Sequence, residues 1–343
     1  MSLTSARAVA AGLRQAGHEV VPFGVAEDGC WLAPDEAAPA LCGQLERLPA
    51  VGEPVAATLV HLIDSGVEVL FPIVHGTWGE DGSLQGLCEM LDLPYVGAGV
   101  AASAVAMDKV LCKRVLAAAE LPVVEYAAIT AGEFEAAPQG ARELLPEWSP
   151  PLFVKPSRGG SSVGISRVTS RDDLPAAIRF ALTFDREALV ERGVAGRELE
   201  CSVLGHSAPE ASAIGEIVPG NDFYDYQDKY LQDQAELSYP ADLPGPVTEE
   251  LRQLAVAAYQ AIGASGMARV DFLLEDGSTS WINEINTLPG FTQISMYPKL
   301  WDVLGLGMAE LMDRLLAAAC ERHEERRALD AGIRRWLDDL NGG

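Results

Sequence analysis

Apolar residues in the first third of the chain alternate between a helical and an extended period. Spacings of three and four residues predict helices at residues 5–15 and 55–65. The apolar runs that follow them predict strands at residues 18–25 and 67–74. Helices that alternate with buried strands are typical of a parallel sheet covered by helices, so this part is predicted to be an α/β domain that begins with a helix.

Beyond about residue 98 the pattern changes to that of a mixed α+β protein. The predicted elements are helices at 103–119, 172–184 and 247–262, strands at 123–129, 152–155, 163–168, 198–204 and 213–218, a hairpin at 267–286, and a charged, solvated helix at 321–339. The predicted domains are therefore residues 1–98, 99–187 and 188–343, with boundaries that are uncertain by several residues.

The composition of the chain limits the classes of protein to which it can belong. The chain has 343 residues, of which 48% are hydrophobic, so it can bury a substantial core. Its formal charge of −25 argues against binding nucleic acid or an anionic membrane through the general surface, and any phosphate must meet a local basic site. The absence of a long apolar run or a signal-peptide pattern predicts a cytosolic protein. Six scattered cysteines predict reduced thiols, to which we assign no role.

The predicted hairpin carries two pairs of polar residues at strand spacing. Glu284 and Asn286 lie two residues apart on its second strand, and Arg269 and Asp271 do so on its first. Period-two alternation places each pair on one face of the sheet. Two carboxylates and an amide oxygen suit magnesium that bridges phosphates. The alternative is that these are solvated polar positions of a half-exposed hairpin.

A loop of glycine and serine separates two short predicted strands at residues 153–165. Backbone N–H groups of such a loop can surround phosphate oxygens, and Lys155 at the strand end, with Lys109, can supply positive charge. The loop is not a Walker A motif, because the lysine precedes the glycines and no helix follows them. A flexible linker and ordinary surface lysines remain the alternatives.

Taken in order, several segments resemble the ATP-grasp superfamily and, within it, the D-alanine–D-alanine ligases. They are HGTWGEDGSLQG (75–86), AMDK (106–109), VKP with SSVG (154–164), FYDYQDKY (223–230) and EINTLPGFT (284–292). The resemblance implies a three-domain ATP-grasp fold with an N-terminal parallel α/β domain. It also implies that ATP and a pair of magnesium or manganese ions activate one D-alanine for attack by a second, in a homodimer that serves peptidoglycan synthesis.

The resemblance further implies a role for each matched residue. The nucleotide set is Lys109, Lys155, Ser162, Glu191, Arg192, Val194, Glu198 and Lys229. The metal ligands are Asp271, Glu284 and Asn286. The catalytic set is His75, Ser161, Tyr230, Arg269 and Gly290, while Ser295 and Met296 join Arg269 and Gly290 at the substrate. Glu80 accompanies His75, and the Lys229-Tyr230 pair resembles that of ligases whose second substrate is an amino acid.

The chain departs from the family pattern at its start. The family's first strand and an acidic residue precede the segment that matches residues 2–5, whereas here Met1 stands directly before it. Loss of a central strand would leave backbone groups and apolar surface unpaired, so we expect the natural start to lie upstream.

Two other functions stay open at this point. One is an ATP-grasp carboxylate–amine ligase that joins a different amino acid pair. The other is a nucleotide-binding protein with little turnover, which the short N-terminus makes conceivable.

Overall fold

The computed structural model describes residues 2–50, 52, 54–137, 145–160, 163–218 and 236–342, with side chains up to residue 340. The helices are α1 Ser2–Gln15, α2 Pro34–Leu41, α3 Val55–Asp64, α4 Ser83–Met90, α5 Val100–Met107, α6 Lys109–Ala118, α7 Ala131–Ala136, α8 Leu174–Ala181, α9 Gly245–Ala261, α10 Met296–Asp302 and α11 Met308–Gly342. The strands are β1 Gly24–Val25, β2 Trp31–Leu32, β3 Tyr126–Thr130, β4 Leu152–Pro156, β5 Ser166–Val168, β6 Glu187–Arg192, β7 Gly196–Gly205, β8 Glu210–Val218, β9 Glu236–Ser238, β10 Gly266–Glu275 and β11 Thr279–Asn286. Each helix in these ranges is too short or too polar to cross a lipid bilayer.

The largest sheet is antiparallel and has the order β11-β10-β7-β8-β9. Its apolar face packs on α9 and on α5 and α6, where Tyr259, Ala102 and Leu116 join the core. Along β10 the side chains of Val270 and Phe272 enter this core, so the intervening polar residues face the other way. The alternation predicted for the hairpin is therefore confirmed.

A second antiparallel sheet has the order β3-β6-β4-β5 and is covered by α8. Leu174 and Ile178 of α8 pack on Val154 and Val190 in its core. Strand β6 pairs with both β3 and β4, so it belongs to this sheet, although the predicted boundary at 187/188 assigns it to the last domain.

The single helix predicted at residues 103–119 is in fact two helices that meet at Asp108. Asp108 has an extended backbone and caps α6, since its Oδ1 accepts hydrogen bonds from the Leu111 N–H (3.0 Å) and the Ser157 hydroxyl (2.6 Å). The break makes Lys109 the first residue of α6. Its N–H donates to the Ser157 carbonyl over 2.8 Å, which ties the helix to the segment after β4.

The predicted parallel sheet of the first domain is not formed as a ladder within the described residues. Segment 18–25 is a strand only at β1, which pairs with β2, and segment 67–74 makes an isolated parallel bridge from Leu70 to Tyr95. Among the described residues, those at 19–23 make no backbone hydrogen bond. An apolar cavity of about 550 Å³ is lined by both segments together with α1, α3 and α4. The two predictions of regular strands were wrong because, among the described residues, segment 18–25 pairs only at β1 and segment 67–74 only at Leu70, so no ladder extends along either.

Candidate functional site

The register of β10 with its two neighbouring strands determines which charged residues lie together on the polar face of the large sheet. Asp271 lies opposite Glu284 of β11 and opposite Glu200 of β7, while Arg269 lies opposite Asn286. A β-bulge at Asn283, which is skipped between the Asp271–Glu284 and Phe272–Ile282 pairs, shifts β11 so that these residues align. The three predicted metal ligands are thus neighbours on one face.

Arg269 forms the centre of this face. Its guanidinium donates two hydrogen bonds to the carboxylate of Asp271, at 2.6 and 2.7 Å, and its Nε lies 3.2 Å from Glu200 Oε1. Burial disfavours the charged form, but Asp271 and Glu200 outweigh it and raise the pKa of Arg269 well above its usual range. Glu200 was missed by sequence reasoning, although it stands two residues after Glu198 and therefore shares its face.

Lys109 approaches the hairpin from the start of α6. Its Nζ lies 3.7 Å from Glu284 Oε2 and donates a hydrogen bond of 2.8 Å to the Gly159 carbonyl in the glycine-rich loop. One lysine thereby contacts both a predicted metal ligand and the predicted phosphate loop.

A buried triad of charges lies beside it. Glu191 of β6 places Oε1 2.6 Å from Lys113 Nζ and Oε2 2.5 Å from Lys155 Nζ. The side chains of Lys113 and Glu191 are only 3% and 4% exposed, so water hardly screens these contacts. Burial opposes the charge on Glu191, yet the two lysines lower its pKa to about 2. Glu191 raises the pKa of Lys155 in spite of burial, and Glu284 and Glu198 contribute to that shift.

Lys113 was missed by sequence reasoning. The residue stands four positions after Lys109, one helical turn along α6, so both lysines project from neighbouring points of one helix face. This four-residue spacing from Lys109 is the feature of the sequence from which Lys113 could have been predicted.

Arg192 points away from the triad and joins the two sheets. Its guanidinium contacts Glu275 at the end of β10, over 2.8 and 3.1 Å, and Glu125 over 2.8 Å, and it lies over the Trp281 ring. These carboxylates raise the pKa of Arg192. The side chain is thus held by protein partners, which leaves the Arg192 backbone as the part that could meet a base.

Two further residues predicted to bind the nucleotide lie nearby. Val194 is half-buried in the connection from β6 to β7, and Glu198 lies on β7 opposite Leu273, on the same face as Asp271. The structure therefore brings Lys109, Lys155, Glu191 and Glu198 to the polar face of the hairpin.

The segment after β11 forms a compact turn against α1. An ideal Cβ on Gly290 would lie 2.6 Å from Ser295 Oγ, so a side chain at this position would displace the Ser295 hydroxyl. Ser295 Oγ also accepts a hydrogen bond from the Thr292 N–H (2.9 Å). Met296 has a buried side chain that packs next to Gly215, which lies opposite Glu200 in the sheet, and its assignment at the substrate stays a prediction.

His75 reaches this turn through Ser5, which is fully buried on α1 and was not predicted as a site residue. The Leu288 carbonyl can only accept, so the 3.1 Å contact from His75 Nδ1 places a proton on that nitrogen. His75 Nε2 lies 3.0 Å from Ser5 Oγ, and Ser5 Oγ accepts from the Phe291 N–H (3.2 Å). Glu80 lies 3.6 Å from His75 Nδ1.

Four predicted site residues lie outside the described residues: Ser161, Ser162, Lys229 and Tyr230. Their assignments stay predictions.

The donor set suits a hard divalent cation. In the part of the chain that the structure describes, no cluster of three His, Cys, Asp or Glu side chains has the geometry of a metal site. Asp271, Glu284 and the amide of Asn286 nevertheless supply oxygen donors on one face. Arg269 engages both Asp271 oxygens, and Asn286 Oδ1 accepts from the Leu288 N–H (2.9 Å), so these contacts would have to share or yield their oxygens.

Comparison with known proteins gives consistent matches. Residues 1–98 match the family model "D-ala D-ala ligase N-terminus", and residues 115–317 match "D-ala D-ala ligase C-terminus". A D-alanine–D-alanine ligase of Solibacter usitatus is 46% identical over 327 residues, which cover 95% of this chain and 93% of the relative. A D-alanine–D-alanine ligase of a Thermoanaerobacter species is 42% identical over 338 residues, which cover 95% of this chain and 94% of the relative.

Solved structures agree with the sequence matches. The D-alanine–D-alanine ligase of Coxiella burnetii has a TM-score of 0.79 at 34% identity and covers 99% of this chain and 94% of its own. The VanG D-Ala:D-Ser ligase of Enterococcus faecalis has a TM-score of 0.78 at 30% identity, with 92% and 94% covered.

Substitution of Lys113 tests the buried triad. Lys113→Met leaves Glu191 buried with one partner instead of two, and we expect the free energy of unfolding to fall by about 3–5 kcal/mol. Chemical denaturation measures this change. The matched control is Arg114→Met on the same helix, where the cation is 59% exposed and 3.6 Å from Glu187, and we expect a change within about 1 kcal/mol. Equal losses in the two variants would contradict a special role for Lys113.

The lowered pKa of Glu191 predicts a defined acid dependence. The ordinary pKa is 4.5 and the folded value about 2, so the unfolded chain takes up a proton first as the pH falls. This contribution is present above pH 4.5 and is lost toward pH 2. Relative to Glu191→Gln, the protein should lose roughly 3 kcal/mol of stability across that window.

Denaturation at several pH values measures the difference between the two proteins. If Glu191→Gln does not fold, carbon NMR of the Glu191 carboxyl gives its pKa in the unaltered protein directly. A carboxyl that titrates near its ordinary value would contradict the electrostatic account of the triad.

Proposed function

Because this chain belongs to the D-alanine–D-alanine ligase family, we propose that the residues on the polar face of β7, β10 and β11 perform the ligation. The chain has the ATP-grasp fold of this family. It is an ATP-dependent ligase that joins two D-alanines into the dipeptide of peptidoglycan precursors. ATP and a divalent metal follow from the family, and the residue roles below are our proposals.

These roles are supported by one observation, which is that lysines of α6 and β4 lie opposite carboxylates of the large sheet. Lys109 lies 3.7 Å from Glu284, and the pKa of Lys155 responds to Glu284 and Glu198. Such an arrangement suits a polyphosphate, with lysines on one side of its oxygens and metal ligands on the other. Glu191 contacts Lys155, and the Gly159 carbonyl accepts a hydrogen bond from Lys109. Phosphate oxygens would compete with these partners for the two lysines.

Lys109 and Lys155 would hold the β- and γ-phosphates while the γ-phosphoryl group moves to the carboxylate of the first D-alanine. This transfer converts a poor electrophile into an acyl phosphate, which has a good leaving group. The task is mainly positioning and neutralisation of charge. Magnesium or manganese at Asp271, Glu284 and Asn286 would supply Lewis-acid stabilisation of the moving phosphoryl oxygens.

Lys113 would permit this transfer by holding Glu191. When the phosphate draws Lys155 away, Lys113 still neutralises the buried carboxylate at 2.6 Å. Glu191 can then remain ionised near the base of the nucleotide.

Arg269 and the Gly290 N–H would stabilise the oxyanion that forms when the amine of the second D-alanine attacks. Arg269 stays charged and is held by Asp271 and Glu200, so it needs little reorganisation at that moment. Gly290 lets the substrate approach the backbone closely. The Ser5–His75 network fixes this turn by bonding the Phe291 N–H and the Leu288 carbonyl.

We expect Lys229 and Tyr230, which lie outside the described residues, to favour an amino acid as the second substrate. The neighbour VanG is a D-Ala:D-Ser ligase, which makes D-serine the nearest competing substrate. We further propose a cytosolic homodimer that uses two magnesium or manganese ions, on the basis of the family resemblance.

Phosphate release from ATP tests the reaction. We expect release that depends on D-alanine and yields D-alanyl-D-alanine by mass spectrometry, with D-serine and D-lactate as weaker second substrates. L-alanine is the stereochemical control. Release with a different amino acid pair would favour another carboxylate–amine ligase. Nucleotide binding without release would favour a protein with little turnover.

A change of Arg269 to lysine tests the oxyanion role. Lysine keeps the charge but loses the two-pronged geometry, and we expect kcat to fall on the order of a hundredfold. Steady-state kinetics with D-alanine measure the loss, and the KM for ATP should change little. The control is Arg197→Lys, because Arg197 makes an equally close pair of contacts, both 2.6 Å, with Glu216 away from the site. Similar kcat values for both variants would argue against the role.

A further inference from the structure

The proposed function requires Asp271 to serve two cations. Asp271 is a proposed ligand of the divalent metal, yet both of its carboxylate oxygens accept hydrogen bonds from Arg269, at 2.6 and 2.7 Å. A carboxylate that binds a metal holds a guanidinium less strongly, because two cations then share one negative charge and repel each other. Metal binding at Asp271 therefore weakens the contact that holds Arg269.

A second carboxylate already lies beside the same arginine. Glu200 of β7 stands opposite Asp271 in the sheet. Its Oε1 lies 3.2 Å from Arg269 Nε, which is the nitrogen that also bonds Asp271 Oδ1. The side chains of Arg269 and Glu200 are 17% and 6% exposed, so water gives little compensation to a guanidinium that loses its anion. Arg269 Nε thus has an alternative acceptor within reach of a small side-chain movement.

The surroundings of Glu200 suit a counter-ion better than a metal ligand. Glu284 lies beside Asp271 and is 34% exposed, whereas Glu200 lies across β10 from Glu284 and is mostly buried. On its other side Glu200 stands opposite Gly215 of β8, where an added Cβ would meet the Met296 side chain. Met296 therefore covers the sheet next to Glu200, which keeps this carboxylate in a recessed and partly apolar position.

We propose that Glu200 is a positioning residue that pairs with Arg269 in place of Asp271 when a divalent metal binds Asp271. This inference rests on the proposed function, because it requires Asp271 to be a metal ligand. It adds a role for a carboxylate outside the proposed ligand set. The hydrogen bond from Arg269 Nε moves from Asp271 to Glu200, so the arginine stays charged and in place while the Asp271 oxygens become available to the metal.

The charges on this face of the sheet agree with such an exchange. The negative charge of Glu200 matches the positive charge of Arg269, and the charges of Asp271 and Glu284 then remain for the divalent metal. With an uncharged residue in place of Glu200, Arg269 and the metal would compete for Asp271. Either the affinity for the metal or the position of the arginine would then suffer.

A crystal structure of the unaltered protein with ADP and magnesium tests the exchange directly. We expect magnesium on Asp271, a hydrogen bond from Arg269 Nε to Glu200, and loss of the two-pronged contact between Arg269 and Asp271. Magnesium on Asp271 with Arg269 still bonded to both Asp271 oxygens would overturn this inference and leave the proposed function intact. Magnesium bound without Asp271 would overturn both.

Substitution of Glu200 by glutamine tests the role in solution. Glu200→Gln keeps the shape but removes the charge, so Arg269 stays on Asp271 and competes with the metal. We expect the Mn²⁺ concentration that half-saturates the ADP-bound protein to rise about tenfold, the scale of one hydrogen bond to a charged group. Electron paramagnetic resonance of free Mn²⁺ measures this concentration. We also expect kcat to fall, while the KM for ATP at saturating metal changes little. An unchanged Mn²⁺ affinity would contradict the proposal.

The matched control is Glu216→Gln. Glu216 belongs to the same sheet and also pairs with an arginine, Arg197, but it stands opposite Leu199 of the apolar core and so lies on the other face. We expect this variant to keep the Mn²⁺ affinity and the kcat of the unaltered protein. An equal loss of Mn²⁺ affinity in both variants would show a general effect of removing a carboxylate and would count against Glu200.

A double variant separates competition by Arg269 from a general loss of negative charge. In protein that carries Arg269→Gln, no guanidinium competes for Asp271, so the addition of Glu200→Gln should leave the Mn²⁺ affinity unchanged. A direct charge effect of Glu200 on the metal would instead give the same loss with and without Arg269, and that result would overturn the proposal. Far-UV circular dichroism checks the fold of each variant. The crystal structure of the unaltered protein decides the question if a variant does not fold.

Discussion

The register of β10 between β7 and β11 determines which charges meet in this protein. It brings Glu200, Asp271 and Glu284 to one face, where Arg269, whose side chain is 17% exposed, compensates part of their charge. Carboxylates this close would repel one another strongly in a buried setting without a cation. The remaining negative charge is what a divalent metal and the lysines of the opposite wall can balance. One strand alignment thereby sets the positions of Arg269 and of the proposed metal ligands.

The cations come from elements outside that hairpin. Lys109 and Lys113 project from α6, whose position is fixed by the Asp108 cap and the hydrogen bonds to Ser157. Lys155 comes from β4 in the smaller sheet. The chain carries a formal charge of −25, and these lysines provide local positive charge where the phosphates of the proposed nucleotide would lie.

Most of this arrangement could be predicted from the sequence. The features that could not be predicted depend on contacts between distant parts of the chain. Alternation along residues 267–274 predicted the face of Arg269 and Asp271 correctly, because one side of that strand is buried. The bulge at Asn283 could not be read from the alternation, since it depends on the facing strand. Lys113 and Glu200 were missed because their roles arise from contacts between elements distant in sequence. The strands expected near residues 20 and 70 were not formed as ladders, because an apolar run does not reveal whether a neighbouring strand pairs along its whole length.

Adjacent residues on β6 point to opposite faces of the sheet. Salt in solution therefore affects their ion pairs to different degrees. Glu191 turns into the nearly water-free triad, whereas Arg192 turns toward Glu125 and Glu275, whose side chains are 53% and 23% exposed. Dissolved salt screens the second set far more than the first. Added electrolyte would therefore loosen the attachment between the two sheets while the lysine-bound carboxylate keeps its partners.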